Sequence, residues 1–258
     1  MYTYQSRIRY SEIDRTGKLS LISLLNYFQD CSTFHSEDIG LGHKYLLERN
    51  LLWVLSAWQI IIHRYPELYE KVIIGTAPYA FRSVIGYRNF LLTTKEGEQL
   101  ACANSVWTLL DTAKGRPTKP TSEIMNGYQL AEKLPMEYAD RKIAVPNEGI
   151  SLPPIEVKPH HLDTNNHVNN GQYIDIAMDL VTDCQSAEND NQNQDTKITQ
   201  LRAEYRKSAV LSNIMYPYLL SSDYKEIVSL QDSDGNPYCI AEFTHGLDET
   251  AQNGGSQC

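Results

Sequence analysis

The sequence predicts an α+β fold built twice over. Three observations carry that expectation: a loop-and-helix pattern that recurs 149 positions apart, strand patterns that follow both copies in the same order, and a proline-rich stretch between them. The recurring segment is Ile13-Asp14-Arg15-Thr16-Gly17-Lys18-Leu19-Ser20, which returns as Leu162-Asp163-Thr164-Asn165-Asn166-His167-Val168-Asn169.

Each copy ends on a small polar residue, Ser20 or Asn169, of the kind whose side chain accepts a backbone N–H bond at a helix start. Apolar residues at helical spacing follow. In the first copy they are Leu21, Leu24, Leu25, Phe28 and Cys31; in the second, Tyr173, Ile174, Ala177, Leu180, Val181 and Cys184.

Met1 to Arg7 reads as strand-like from the start. Leu51 to Ile62, rich in Ile and Trp, is too long for a short core strand and predicts a long curved one. Tyr87 to Thr93 and Gln99 to Leu109 flank the polar turn Thr94-Lys95-Glu96-Gly97-Glu98, a hairpin signal. In the second half Thr199 to Tyr205 and Ser212 to Leu220 read as strands. Lys225 to Leu230 and Tyr238 to Thr244 form a hairpin about Asp232-Ser233-Asp234-Gly235-Asn236-Pro237.

Seven of the eleven prolines lie between Thr112 and Pro159, which reads as a connection, since proline cannot donate to a central ladder. Within it a short helix near Ser122 to Leu134 is expected, with Ser122 as cap. The expected organisation is an N-terminal unit over 1–115, a Pro-rich linker over 116–150, a C-terminal unit over 151–247 and a tail over 248–258. Ser186 to Thr196 and Asp248 to Cys258 are polar without apolar periodicity and read as a loop and a frayed end.

A chain of 258 residues, 41% hydrophobic, is long enough for two cores. Its longest apolar run falls short of the roughly 18 residues of a membrane span, and Met1-Tyr2-Thr3-Tyr4-Gln5-Ser6-Arg7 lacks the pattern of a signal peptide. Five cysteines without regular spacing favour reduced thiols, so a cytoplasmic protein is expected. A net charge of −9 opposes general attraction to nucleic acid.

The stretch from Asp163 to Asn170 gathers a carboxylate, amides and an imidazole beside a helix. Taken singly, Asp163, Asn165, Asn169 and Asn170 are ordinary turn and cap residues, and His167 an ordinary structural imidazole. His160, His161, Asp163 and His167 are also ligand types for zinc, but without a zinc spacing. Asp232-x-Asp234-Gly235 begins like a calcium loop, yet Phe243 stands where its closing glutamate belongs.

The set Asp163-x-Asn165-x-His167-Val168-Asn169-Asn170, with Tyr173 after it, resembles the active-site motif of acyl-acyl-carrier-protein thioesterases of the plant and bacterial type. Arg49-Asn50-Leu51-Leu52-Trp53-Val54, Arg64-Tyr65-Pro66, Ser105-Val106-Trp107 and Glu204-Tyr205-Arg206-Lys207 resemble further landmarks in the same order. The resemblance covers the chain from about Tyr4 to Phe243.

It implies tandem hotdog domains, each a long central helix wrapped by a curved antiparallel sheet. It further implies hydrolysis of the thioester between a fatty acyl chain and acyl carrier protein, ending chain elongation without a cofactor. Such hydrolysis needs an attacking group, a proton carrier and oxyanion donors. Asp163, Asn165 and His167 are the catalytic candidates. His167 handles the proton, Asn165 positions water or substrate, and Asp163 orients the imidazole, activates water or attacks the carbonyl itself. Backbone N–H groups of the helix starting near Asn170 are candidate oxyanion donors.

One departure stands out. Ser208 occupies a place where the family commonly carries glutamate, and Ala209 one where plant members often carry cysteine. Ser208 is therefore the fourth catalytic candidate, unless another carboxylate serves or none is needed. Cys184 lies 17 residues along from His167, about 25 Å if one helix joins them, too far to replace a nucleophile.

By the same resemblance the acyl tunnel belongs chiefly to the first unit, with Leu25, Phe28, Trp53, Leu55 and Trp58 as candidate lining. Arg202, Arg206 and Lys207 are candidates for docking the acidic carrier protein. A hotdog-type acyl-coenzyme A thioesterase and a non-hydrolytic acyl-binding module are the alternatives. Monomer and homodimer both remain open, because a tandem chain can satisfy hotdog pairing internally.

Overall fold

The computed structural model describes residues 1–145, 148–188, 196–222 and 224–247. The chain divides into two compact units, the first from Met1 to Arg141 and the second from Lys142 onward.

In the first unit, β1 (Tyr2–Arg7) alternates half-buried and exposed residues. A loop leads into α1 (Leu21–Asp38), whose first turn is capped by Ser20 accepting from the Ser23 N–H at 3.2 Å. The helix buries Leu21, Leu24, Leu25, Tyr27, Phe28 and Cys31, the face its spacing predicts. After α2 (His43–Glu48) come the long strands β2 (Leu51–Ile62), β3 (Lys71–Arg82), β4 (Ile85–Thr94) and β5 (Gln99–Asp111). They form an antiparallel sheet in the order β1-β3-β4-β5-β2, with two-residue β6 (Arg116–Pro117) beside β5.

α1 lies on this sheet. Phe28 meets Trp58 and Phe90 at centroid distances of 6.3 and 5.3 Å, and Trp58 meets Phe90 at 4.9 Å. The ladder between β2 and β5 shifts register between Leu55 and Ala57, so Ser56 is an extra residue, a β-bulge.

Within the stretch expected as a Pro-rich linker, residues 116–145 include a helix and segments packed on both units' own sheets. Thr121, not Ser122, caps α3 (Ser122–Gly127) by accepting from the Ile124 N–H. Tyr138 then donates to Asn89 at 3.0 Å, and Gln59 bonds Glu137 and Ala139 at 2.9 Å each. Residues 134–139 thereby cover the sheet's second face, where Asn89 and Asn104 are buried. From Ile143 onward the chain packs on the second unit, its N–H donating to Glu204 at 2.9 Å.

The second unit repeats the plan. α4 (Asn170–Glu188) follows the second loop, then β9 (Thr196–Tyr205), β10 (Ile214–Ser222), β11 (Lys225–Gln231) and β12 (Pro237–Leu247). Short β7 (Ile150–Ser151) and β8 (Ile155–Glu156) pair with β10, and the antiparallel order is β7-β10-β11-β12-β9. Strand for strand this matches the first unit. α4 runs through Ser186 to Glu188, where a loop is expected; the rest of that loop, from 189 to 195, and the tail from 248 lie outside the described residues. Among the described residues no helix is long and apolar enough to cross a membrane.

Candidate active site

The loop from Leu162 to Asn169 is a closed backbone structure. Leu162 and Val168 form a bridge, the Asp163 N–H donates to the His167 carbonyl at 2.7 Å, and the Asn166 N–H donates to the Asp163 carbonyl at 3.1 Å. Asn166 takes the left-handed conformation at φ 59° that the turn requires.

The Asp163 carboxylate is spent on this backbone. Its Oδ1 accepts the Asn165 N–H at 2.8 Å and the His167 N–H at 3.2 Å, while Oδ2 accepts the Asn165 side-chain amide at 3.4 Å. The expectation that Asp163 orients the His167 imidazole is not what these contacts describe. The carboxylate grips the main chain of His167, and its ring has no hydrogen-bond partner among the described residues.

The first loop is built the same way. Asp14 Oδ1 accepts the Thr16 N–H at 2.8 Å, the Thr16 hydroxyl at 2.6 Å and the Lys18 N–H at 3.4 Å. Gly17 takes the left-handed place of Asn166, at φ 78°. Even the preceding turns agree, for the Glu12 carboxylate accepts the Arg9 N–H and the His161 Nδ1 accepts the Lys158 N–H. What differs is the reactive set: Thr16 and Lys18 in one loop, Asn165 and His167 in the other.

Two contacts set the loop against the strand end. The Val168 N–H donates to the Ala209 carbonyl at 2.9 Å, and the Ala209 N–H donates to the Tyr173 hydroxyl at 2.7 Å. His167 bridges Val210. Ser208, next to these anchors, is exposed. The Tyr205 hydroxyl donates to the Asn170 carbonyl at 3.1 Å, and burial raises the pKa of both tyrosines, so they act here as neutral hydrogen-bonding groups. In the first turn of α4 the Gly171 N–H is taken by the Asn169 side chain at 2.8 Å, and those of Gln172 and Tyr173 by the Asn169 carbonyl. Of the N–H groups considered for an oxyanion, that leaves Asn170.

The neighbouring His161 is buried, and burial, followed by His160, lowers its pKa; its Nδ1 is engaged with the backbone. It is a structural imidazole.

The three basic candidates are all in ion pairs. Arg202 holds buried Glu242 at 2.8 Å and is itself half-buried, Arg206 reaches Glu204 at 3.1 Å, and Lys207 pairs with Asp232 over the Tyr238 ring.

The first unit contains a cavity of about 210 Å³, whose wall combines Leu46, Leu52, Trp53, Phe81 and Trp107 with polar side chains that include Ser36, His43 and Tyr128. Of the five side chains expected to line a tunnel, Trp53 faces it. Leu25, Phe28, Leu55 and Trp58 are at most 3% exposed and packed in the core. Sequence reasoning missed Arg88 in the cavity wall, which sits in β4 inside the strand expected over Tyr87 to Thr93.

Comparisons with known proteins agree with this architecture. Residues 1–128 match the family model for the acyl-ACP thioesterase N-terminal domain, and residues 147–233 match that for the acyl-ACP thioesterase C-terminal domain. A palmitoyl-acyl carrier protein thioesterase, chloroplastic, of Cuphea hookeriana is 25% identical over 186 residues, covering 65% of this chain and 43% of its own. The chain thus spans less than half the length of that relative. The structure of an acyl-ACP thioesterase from Bacteroides thetaiotaomicron superposes with a TM-score of 0.82 at 24% identity, covering 95% of this chain and 97% of that one. A 12:0-ACP thioesterase from Umbellularia californica gives 0.82 at 19% identity, covering 96% and 97%. These likenesses identify the fold as tandem hotdog.

Proposed function

Because the chain belongs to the acyl-ACP thioesterase family, we propose that it hydrolyses the thioester of a fatty acyl chain carried on acyl carrier protein, releasing free fatty acid and the carrier. The observation that carries this reading is the contrast between the two loops. The same scaffold is built twice, and only the second copy holds an imidazole and an amide at the positions it presents.

In the proposed reaction His167 takes a proton from a water molecule as that water attacks the thioester carbonyl carbon. The resulting oxyanion collapses, the carbon–sulfur bond breaks, and His167 returns the proton to the departing thiolate. Asn165 donates its amide N–H to Asp163, which leaves its carbonyl oxygen to accept from the attacking water. Asp163 fixes the loop on which both stand. Ser208, beside the backbone anchor at Ala209, is the hydroxyl proposed to hold the same water from the other side. The Asn170 N–H is the proposed oxyanion donor.

The acyl chain is assigned to the first unit's cavity, with Trp53 as its wall. Arg206 and Lys207, the more exposed of the basic candidates, are proposed to meet the acidic carrier protein. The four described cysteines are free thiols, which supports a reducing, cytoplasmic setting.

The test is thiol release from acyl-acyl-carrier-protein and acyl-coenzyme A series of varied chain length, with wild type beside His167→Ala, Asn165→Ala and Ser208→Ala. Faster release from the carrier-protein series, lost in His167→Ala while folding is intact, is expected. Release indifferent to His167 sinks the assignment of the site, and faster release from coenzyme A replaces the carrier protein as substrate.

A further inference from the structure

Arg88 is 7% exposed and forms part of the wall of the cavity in the first unit. A guanidinium in such a place is costly unless a negative charge answers it, and it cannot shed its proton to escape the cost. Around Arg88 only neutral groups answer. Its Nη1 reaches His35 Nδ1 at 3.0 Å and Thr76 Oγ1 at 3.2 Å, and the Tyr128 ring lies 5.3 Å from the guanidinium carbon. The imidazole accepts this bond only when its Nδ1 is unprotonated. Burial, and then Arg88 itself, lower the His35 pKa to about 4, so it brings no second charge and no negative one. Among the described residues Arg88 has no carboxylate partner; its other neighbour, Tyr128, is a neutral phenol.

The rest of the wall is mixed: Leu46, Leu52, Trp53, Phe81 and Trp107 supply its apolar part, and the hydroxyls of Ser32, Ser36, Tyr87 and Tyr128 and the His43 imidazole bring no negative charge. A chamber that joins an apolar wall to a buried fork-shaped cation without a carboxylate partner is chemically complementary to an alkyl chain that ends in a carboxylate, which a guanidinium binds through two parallel N–H bonds. A plain methyl end would leave the cation unanswered.

We infer that the first unit's cavity is a receptor for a carboxylate-terminated alkyl chain, with Arg88 as the group that recognises its charged end. This rests on the thioesterase reading for the alkyl nature of the chain. Two sources share the chemistry: the far end of an ω-carboxyacyl thioester, and a free fatty acid bound by its own carboxylate.

Trp53 and Trp107 line the cavity, so tryptophan fluorescence reports its occupancy without any turnover. Titration of the full chain with decanoate and with decanol, below their aggregation limits, is expected to show decanoate binding at least tenfold tighter. In Arg88→Met that preference should fall to about unity while decanol still binds; Arg88→Lys should keep part of it. Equal affinities in wild type, or a preference that survives Arg88→Met, overturn the inference. The wild-type comparison stands even if the variants fail to fold. It also stands if the chain hydrolyses nothing, which separates its failure from that of the proposed function. A second arm identifies the source. Lower KM for an ω-carboxydecanoyl than for a decanoyl carrier-protein thioester assigns the substrate's far end. Competitive inhibition by decanoate without that KM difference assigns the free acid, and absence of both, with no binding preference, overturns the receptor altogether.

Discussion

Asp14 and Asp163 make matching contacts in the two halves of the chain, the Oδ1 of each accepting the N–H two residues onward at 2.8 Å. The first of these loops carries lysine where the second carries histidine, so the carboxylate has a purpose that does not depend on an imidazole. It ties the turn.

That relationship predicts different outcomes for one substitution made twice. Asp14→Ala and Asp163→Ala should each lower stability by about 1 kcal/mol, the usual size of such a bond between side chain and backbone. Only Asp163→Ala should reduce thiol release per folded molecule. Urea unfolding beside turnover measures both, and an equal loss of turnover in Asp14→Ala contradicts the division of labour.

Exchanging the reactive set is a sharper test. The double change Asn165→Thr with His167→Lys gives the second loop the residues of the first. It should fold with an unchanged unfolding midpoint and lose about 10²- to 10⁴-fold in kcat, the range general acid–base groups contribute. Retained activity would place the proton carrier elsewhere.

Asn166 holds the left-handed position that Gly17 fills in the first loop. Asn166→Gly should therefore shift stability by less than about 1 kcal/mol, whereas Asn166→Val should cost about 1–2 kcal/mol through backbone strain. Thermal unfolding of the pair decides it.

His35 gives the protein an acid-side pH dependence. Its pKa is lowered from 6.5 to about 4 on folding, so between those values the unfolded chain binds a proton that the folded chain refuses. The stabilisation is complete above about pH 6.5 and is lost as pH falls toward 4, with a slope of at most about 1.4 kcal/mol per pH unit from this group. His35→Gln, whose amide can still accept from Arg88, should flatten that part of a urea-stability profile.

The basic candidates for docking should divide by their burial. Arg202→Ala strands Glu242, which is 5% exposed and keeps Lys225 at 3.4 Å, and should destabilise the second unit by about 2–3 kcal/mol. Arg206→Ala and Lys207→Ala should instead raise KM several-fold for carrier-protein substrates and leave coenzyme A substrates unchanged. Steady-state kinetics on both substrate classes is the measurement.

Both long helices were legible because cap and periodicity agree at Ser20 and Asn169, and the hairpins because polar turns interrupt apolar runs. β3 was not. Val72-Ile73-Ile74-Gly75-Thr76-Ala77-Pro78 has no alternation, since both its faces are covered, and Pro78 speaks against a strand until its place at a shift in register is known. The covering segment around Tyr138 was hidden for a related reason: prolines mark what cannot be a central strand, and say nothing about what lies on top of one. In the site, the residue types were readable and their pairing was not. Spacing put Asp163 within reach of His167, but whether the carboxylate meets the ring or the main chain is decided by the turn. Arg88 gave no signal, because alternation along β4 does not tell which of two buried faces holds a cavity.

Ser56 governs what β2 can tolerate. Successive residues of a strand point to opposite faces, so Trp53 and Trp58, an odd number of places apart, would look in opposite directions along a regular ladder. The extra residue restores parity: Trp53, Leu55, Trp58, Ile60 and Ile62 stand opposite Leu109, Trp107, Ser105, Ala103 and Ala101, all on one side of β5. Deleting Ser56 would turn one end of that row inside out, driving either Trp53 out of the chamber or Trp58 out from under Phe28. Length is thus fixed at this point as strictly as identity is elsewhere. A library that varies the chamber by insertion or deletion should leave β2 alone and work in the segments at its ends.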